Sequence, residues 1–91
     1  MEEERKKVKK YLCETYGNEI IKYQGFIYLV DIITRNKEIV PKMIREYEKT
    51  AAKYDTYPCI VEGNLKGMLV KLIKSYSVKK FINYNITKIW N

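Results

Sequence analysis

The feature that most limits how this chain can fold is the break at Asp55-Thr56-Tyr57-Pro58, which separates two apolar stripes of helical spacing. Before it, Met43, Ile44, Tyr47, Ala51 and Tyr54 fall on one side of a helix, and after it Val61, Leu65, Met68, Leu69, Leu72 and Ile73 do the same. Proline has a fixed φ and no N–H to donate, so Pro58 suits the opening turn of a helix and not its interior. The spacing therefore predicts two helices over about residues 43–73, joined by a polar turn of three or four residues and crossing steeply.

The rest of the chain reads as further helices. Over residues 2–16, Glu2, Glu3 and Glu4 stand where a helix dipole favours anions, and Val8, Tyr11, Leu12 and Thr15 share one side. Gly17 is expected to end this helix as a left-handed cap. A second helix is expected from about Glu19 or Phe26 to Thr34, with Asn36 as terminator. Phe26, Ile27, Leu29, Val30, Ile32 and Ile33 give it apolar residues on more than one face, which makes it the central core helix. Pro41 pushes Val40 toward an extended conformation and can begin the helix leading to the break. Beyond Ile73, Ser75 or Ser77 can cap a last helix carrying Val78, Phe81, Ile82, Ile86, Ile89 and Trp90. The chain shows no repeat and no strand-like alternation with hairpin turns. The expected fold is all-α: one compact bundle of about five to six helices over residues 1–91, because so short a chain cannot divide its apolar residues between two cores.

Composition removes several classes of function. At 46% hydrophobic and 32% charged the chain is globular, and it lacks the run of about 20 apolar residues needed to span a bilayer. The opening MEEERKKVKK has no apolar centre, so it does not read as a signal peptide, and a cytoplasmic protein is expected. Cys13 and Cys59 are far apart and the chain has no histidine, which leaves neither a disulfide framework, nor a zinc set, nor a base to activate a thiol. Both thiols are expected to be reduced and partly buried. The acids gather at Glu2 to Glu4 and around Glu46 and Glu48, in stretches that read as solvated helix faces. Gly17, Gly25, Gly63 and Gly67 form no phosphate-cradling loop. No enzyme, cofactor, metal or small-molecule substrate is expected.

Eighteen basic residues against eleven acidic give a formal charge of +7, which favours a polyanion as partner. Two helices with a tight turn are a common device for entering a DNA groove, so the break and the charge together point to double-stranded DNA as a helix-turn-helix target. At 100° per residue the second helix turns Ile60, Gly63, Lys66, Gly67, Val70 and Lys74 away from its apolar side. In a major groove its first half would bring Tyr57, Cys59, Ile60, Gly63 and Asn64 to base edges, with Glu62 and Lys66 toward the flanks. Asn can pair with adenine, Glu can accept from cytosine and Lys can reach guanine or phosphate. Thr56 and the opening N–H groups would hold phosphate, and Lys49, Lys53, Lys71 and Lys74 would meet the backbone. The Ile60 and Val70 strip would favour thymine methyls.

Two glycines inside one helix cost about 1 kcal/mol each relative to alanine, so Gly63 and Gly67 call for close approach of another body. That body is a DNA groove or a second helix, because small residues one turn apart let helix axes come near. In the second case Ile60, Gly63, Gly67 and Val70 form a protein interface for a second copy of this chain or a related regulator.

The run TAAKYDT at residues 50–56, followed by Val61-Glu62 and Leu65, resembles the C-terminal DNA-binding effector domain of the stage-zero sporulation protein A family, the master regulators of sporulation. Gly25 with Phe26, Tyr28 and Leu29 is similar to that domain's glycine-led early helix, and Phe81-Ile82 through Ile89 to its closing helix. The resemblance implies an all-helical fold, sequence-selective DNA binding and transcription regulation, often by paired copies on tandem sites. The family's reading helix carries arginines beside its Val-Glu pair, where this chain has Ile60, Gly63 and Lys66, so the family's target sequence does not carry over. The resemblance covers no receiver domain. A copy that has lost its guanine-reading arginines is the alternative expectation, acting through the protein interface instead.

Overall fold

The computed structural model describes residues 2–36 and 42–72. Within them the fold is all-α, with four α-helices: α1 (Glu2–Tyr16), α2 (Gly25–Arg35), α3 (Met43–Lys53) and α4 (Pro58–Leu72), and a short 3-10 helix, Asn18–Lys22, between α1 and α2. The last helix expected at residues 73–91, and the Val40-Pro41 start expected for the third, lie outside the described residues.

α2 is the centre of the bundle, packing against α1, α3 and α4, because nine of its eleven residues are buried. Leu29, Val30, Ile32 and Ile33 are wholly enclosed, and around them close Val8 and Leu12 of α1, Ile20, and Val61, Leu65, Met68 and Leu69 of α4. Burying a side chain of this size stabilises the fold by about 1.5–3 kcal/mol, so the α2 to α4 packing fixes where α4 sits.

The ends of the helices follow local chemistry. Gly17 closes α1 with its N–H donating to the Cys13 carbonyl, 2.9 Å. Its φ is +90° but its ψ is 155°, so the chain leaves extended and not through the left-handed cap expected, and the 3-10 helix starts at once. Asn36 ends α2 as expected. Its backbone N–H donates to the Ile32 and Ile33 carbonyls and its side-chain amide donates to Ile32 O at 2.8 Å.

α3 ends in a Schellman arrangement made by an aspartate. The N–H of Thr56 donates to the Ala51 carbonyl (2.9 Å) and that of Asp55 to Ala52 (3.5 Å), while Asp55 holds φ +53°. An L side chain in that region costs about 1 kcal/mol, which glycine does not incur. Asp55→Gly is therefore expected to raise stability by about 0.5–1 kcal/mol, read as a Tm increase of several degrees by circular dichroism.

The stripe of α3 differs from the one expected. Tyr47 and Ala51 are buried, but Ile44 is 76% exposed and Glu46 and Thr50 take core positions instead. Glu46 is thus no member of a solvated face. Its carboxylate accepts from Arg35 Nε (3.0 Å), Arg35 Nη2 (2.7 Å) and Asn36 Nδ2 (2.8 Å), with Lys49 Nζ 3.6 Å away. Arg35 also donates to Thr50 Oγ1 at 3.0 Å and to Asp31, which Arg5 and Lys53 reach as well. The network ties α1, α2 and α3 together across a layer that apolar packing leaves open.

Candidate functional site

Tyr54 to Tyr57 carry the chain from α3 to α4, and Pro58 occupies the first turn of α4, where its missing N–H has no helical partner to lose. The N–H groups of Ile60 and Val61 donate back to the Tyr57 carbonyl, closing that turn. α4 then runs fifteen residues with Val61, Leu65, Met68 and Leu69 inward and Leu72 half-buried. Its orientation is settled on the core side by α2 and α3.

The opposite side of α4 faces away from the described core. Ile60 is 44% and Val70 68% exposed, and Gly63, Lys66, Gly67 and Lys71 are exposed with them. A Cβ placed on Gly63 or Gly67 would meet no atom of the described residues within 4 Å, so neither glycine is required by packing among them. Tyr57 is 72% exposed and Cys59 exposed, more open than the partly buried thiol expected, while Cys13 is half-buried and both cysteines are free. By helical position these side chains share the side of α4 away from its buried residues, and Thr56, half-buried, stands at the turn before it.

Several polar members of this surface are already engaged. Lys66 Nζ pairs with Glu62 at 2.8 Å, and Asn64 Nδ2 donates to the Ile60 carbonyl at 2.9 Å. Lys53 binds the buried Asp31 with its side chain half in solvent, and Lys71 Nζ lies 5.8 Å from the Tyr23 ring centroid. The pairs with Glu62 and Ile60 O lie in or near solvent and are worth under about 1 kcal/mol, little enough for a competing anion or base edge to replace. Glu62 also looks across at Tyr47 of α3. Burial, with the Glu62 charge second, pushes the Tyr47 hydroxyl up to about 12. Lys74 lies outside the described residues.

Gly25, by contrast, is a glycine that internal packing demands. A Cβ on Gly25, the first residue of α2, would stand 2.7 Å from the Asn64 carbonyl oxygen and 3.3 Å from Leu65 Cα. α2 therefore rests on the backbone of α4 directly beneath Asn64. The sequence signal for this contact is a glycine heading the most apolar helix.

Among the described residues no group of histidines, cysteines and acids could hold a metal, and no helix is long and apolar enough to cross a membrane. No family model, curated protein or solved structure matches the chain.

Proposed function

We propose that the chain is a small sequence-selective DNA-binding regulator, in which α3 and α4 act as a helix-turn-helix and the outward face of α4 enters the major groove. The observation that carries this reading is the exposed pair Gly63 and Gly67, which weaken their helix by about 1 kcal/mol each and serve no contact among the described residues. A groove floor or phosphate backbone can approach a helix closely only where side chains are missing. Asn64 and Lys66 flank them for base or phosphate contacts, and Tyr57, Cys59, Ile60 and Glu62 adjoin the helix start. Thr56 and the opening N–H groups would receive phosphate. Lys53, Lys71 and Lys74 would add backbone contacts, and the charge of +7 supplies long-range attraction. The likeness of residues 50–65 to the sporulation effector domain supports the same reading.

Titration of a labelled random duplex library at two salt concentrations tests it. If about four phosphates are contacted, affinity should fall about 100-fold between 50 and 200 mM salt. Undetectable binding at low salt would remove the proposal. Enrichment of A/T-rich over G-rich sites is expected from the Ile60 and Val70 strip.

The glycines offer a second, opposed pair of readouts. Gly63→Ala and Gly67→Ala are expected to stabilise the free chain by about 1 kcal/mol each, because the new methyl groups meet no atom of the described residues. The same changes are expected to weaken duplex binding by keeping α4 from the groove. Stability and affinity would thus move in opposite directions, as they do where a residue is kept for function.

One observation favours a second reading. Ile60 and Val70 leave an apolar strip in solvent beside the glycines, and Lys66 is held by Glu62, which suits docking on a second copy or a related regulator. Sedimentation distinguishes the two: replacing both glycines by leucine should abolish self-association with the fold intact, and a wild-type chain that sediments as a monomer excludes the second copy.

A further inference from the structure

On the side of the bundle formed by α1, the 3-10 helix and the start of α2 lies an open groove of about 890 Å³, whose described lining includes no residue of α4. That volume falls within the range of about 300–1,000 Å³ typical of small-molecule sites. Phe26 and Tyr28, both nearly enclosed, form its apolar floor. Ile21 and Ile27 stand on its walls, 59% and 45% exposed, and Tyr54 sets its ring edge-on to Tyr28 at 5.5 Å. Ile21 and Ile27, with the floor beneath them, leave apolar surface that an alkyl chain can cover.

The charges around the groove say what head such a chain would carry. Lys9, Lys10 and Lys22 line it, and among the described residues no acid does. Lys22 is partnered by Glu19 in solvent (2.9 Å), whereas Lys9 and Lys10 make no ion pair among the described residues. An apolar body with an anionic head satisfies both parts at once. The chain's own residues 73–91 do not, since they carry Lys74, Lys79, Lys80 and Lys88 and no acid. We infer that this groove is a binding site for a free long-chain fatty carboxylate, its alkyl chain over Phe26, Tyr28 and Ile27 and its head between Lys9 and Lys10.

The groove adjoins both ends of α4: Tyr54 begins the turn into it, and Tyr23, on the groove wall, carries Lys71 of its last turn over its ring. No residue of α4 itself lines the groove among the described residues, so a test of ligand binding needs no nucleic acid.

The full chain would be titrated with 11-(dansylamino)undecanoate, a fluorescent fatty carboxylate, below its micellar concentration. A saturable blue-shifted signal at one probe per chain is expected, displaced by dodecanoate and not by dodecyltrimethylammonium. Ile27→Glu, and Lys9→Glu with Lys10→Glu, are exposed changes expected to weaken binding at least tenfold while far-UV circular dichroism and Tm stay near wild type. The two cysteines report the location. Cys13 lines the groove and Cys59 lies exposed on α4, so dodecanoate should slow maleimide labelling of Cys13 severalfold and leave Cys59 unchanged. Equal displacement by the cationic amphiphile, parallel changes at both cysteines, or loss of helical signal on binding each overturn the site. So does absence of binding, and if Cys13 is then already shielded in the free chain, the occupant is a part of the chain itself.

Discussion

Replacing Arg35 by methionine is expected to remove about 3 kcal/mol of stability, the largest effect of any single side chain in the charged layer. Its guanidinium satisfies two nearly enclosed carboxylates, Asp31 and Glu46, each only 4% exposed. Asp31 would keep Arg5 and Lys53, but among the described residues Glu46 would keep only the Asn36 amide and a lysine 3.6 Å away. A buried carboxylate short of partners retains its desolvation cost with little in return. A domain of this length is stable by about 5–14 kcal/mol, so the loss takes a large part of the total. Adding Glu46→Gln should recover a good share of it, because the amide keeps an acceptor for Asn36 without the unpaired charge. If Arg35→Met alone leaves the urea midpoint unchanged, the layer is not holding the helices together. The same layer sets the acid limit. Burial raises the Asp31 carboxyl, but hydrogen bonds and charge from Lys53 and Arg35 outweigh it and hold it below its usual 3.8. A lowered carboxyl stabilises the fold fully above its unfolded value and loses that contribution as pH falls through the folded one. Wild-type Tm should therefore hold down to about pH 4 and drop below it.

Gly25→Ala should destabilise the fold by about 2 kcal/mol, a Tm loss of about 8–16 °C, and Gly25→Val by more. The added methyl would meet the Asn64 carbonyl oxygen at 2.7 Å, and backbone inside a helix cannot turn aside as a side chain would. α4 would have to lift from α2, parting contacts of Val61 and Leu65. Alanine's better helix propensity offsets only a fraction of this at the first helical position. The informative control is the identical substitution at Gly63, where open space predicts the opposite sign. Thermal unfolding of the two variants side by side decides the matter. Equal Tm shifts in the same direction would mean that α2 and α4 do not approach this closely.

How far the sequence revealed this molecule depends on what each residue had to say locally. Pro58 and the stripe from Val61 to Leu69 made α4 and its inward side legible, since periodicity and an N–H-less first residue are local facts. The boundaries of α1 were legible for the same reason, through its three leading acids and Gly17. α3 was harder. An apolar stripe would choose Ile44 over Glu46, yet Glu46 lies one turn before Thr50 on the side shared by Tyr47 and Ala51, and partners eleven and fifteen residues from Arg35 turn that side inward. Pairing across helices leaves no periodic trace. Asp55 likewise read only as a turn residue, and its left-handed φ is a property of the cap it completes. Of the surface on α4, which residues lie outward could be read from the helical period. That Lys66, Asn64 and Lys53 already have partners could not, because those contacts depend on rotamers and on α2.

The most direct test of the role given to α4 is a ¹H–¹⁵N correlation spectrum of the full chain as an A/T-rich duplex is added at low salt. The largest shifts should fall on the amides of Ile60, Gly63, Asn64, Lys66 and Gly67, with Val8 and Leu12 of α1 unmoved. Shifts centred on the lysines of α1 with the α4 face unchanged, or none at any duplex concentration, would contradict it.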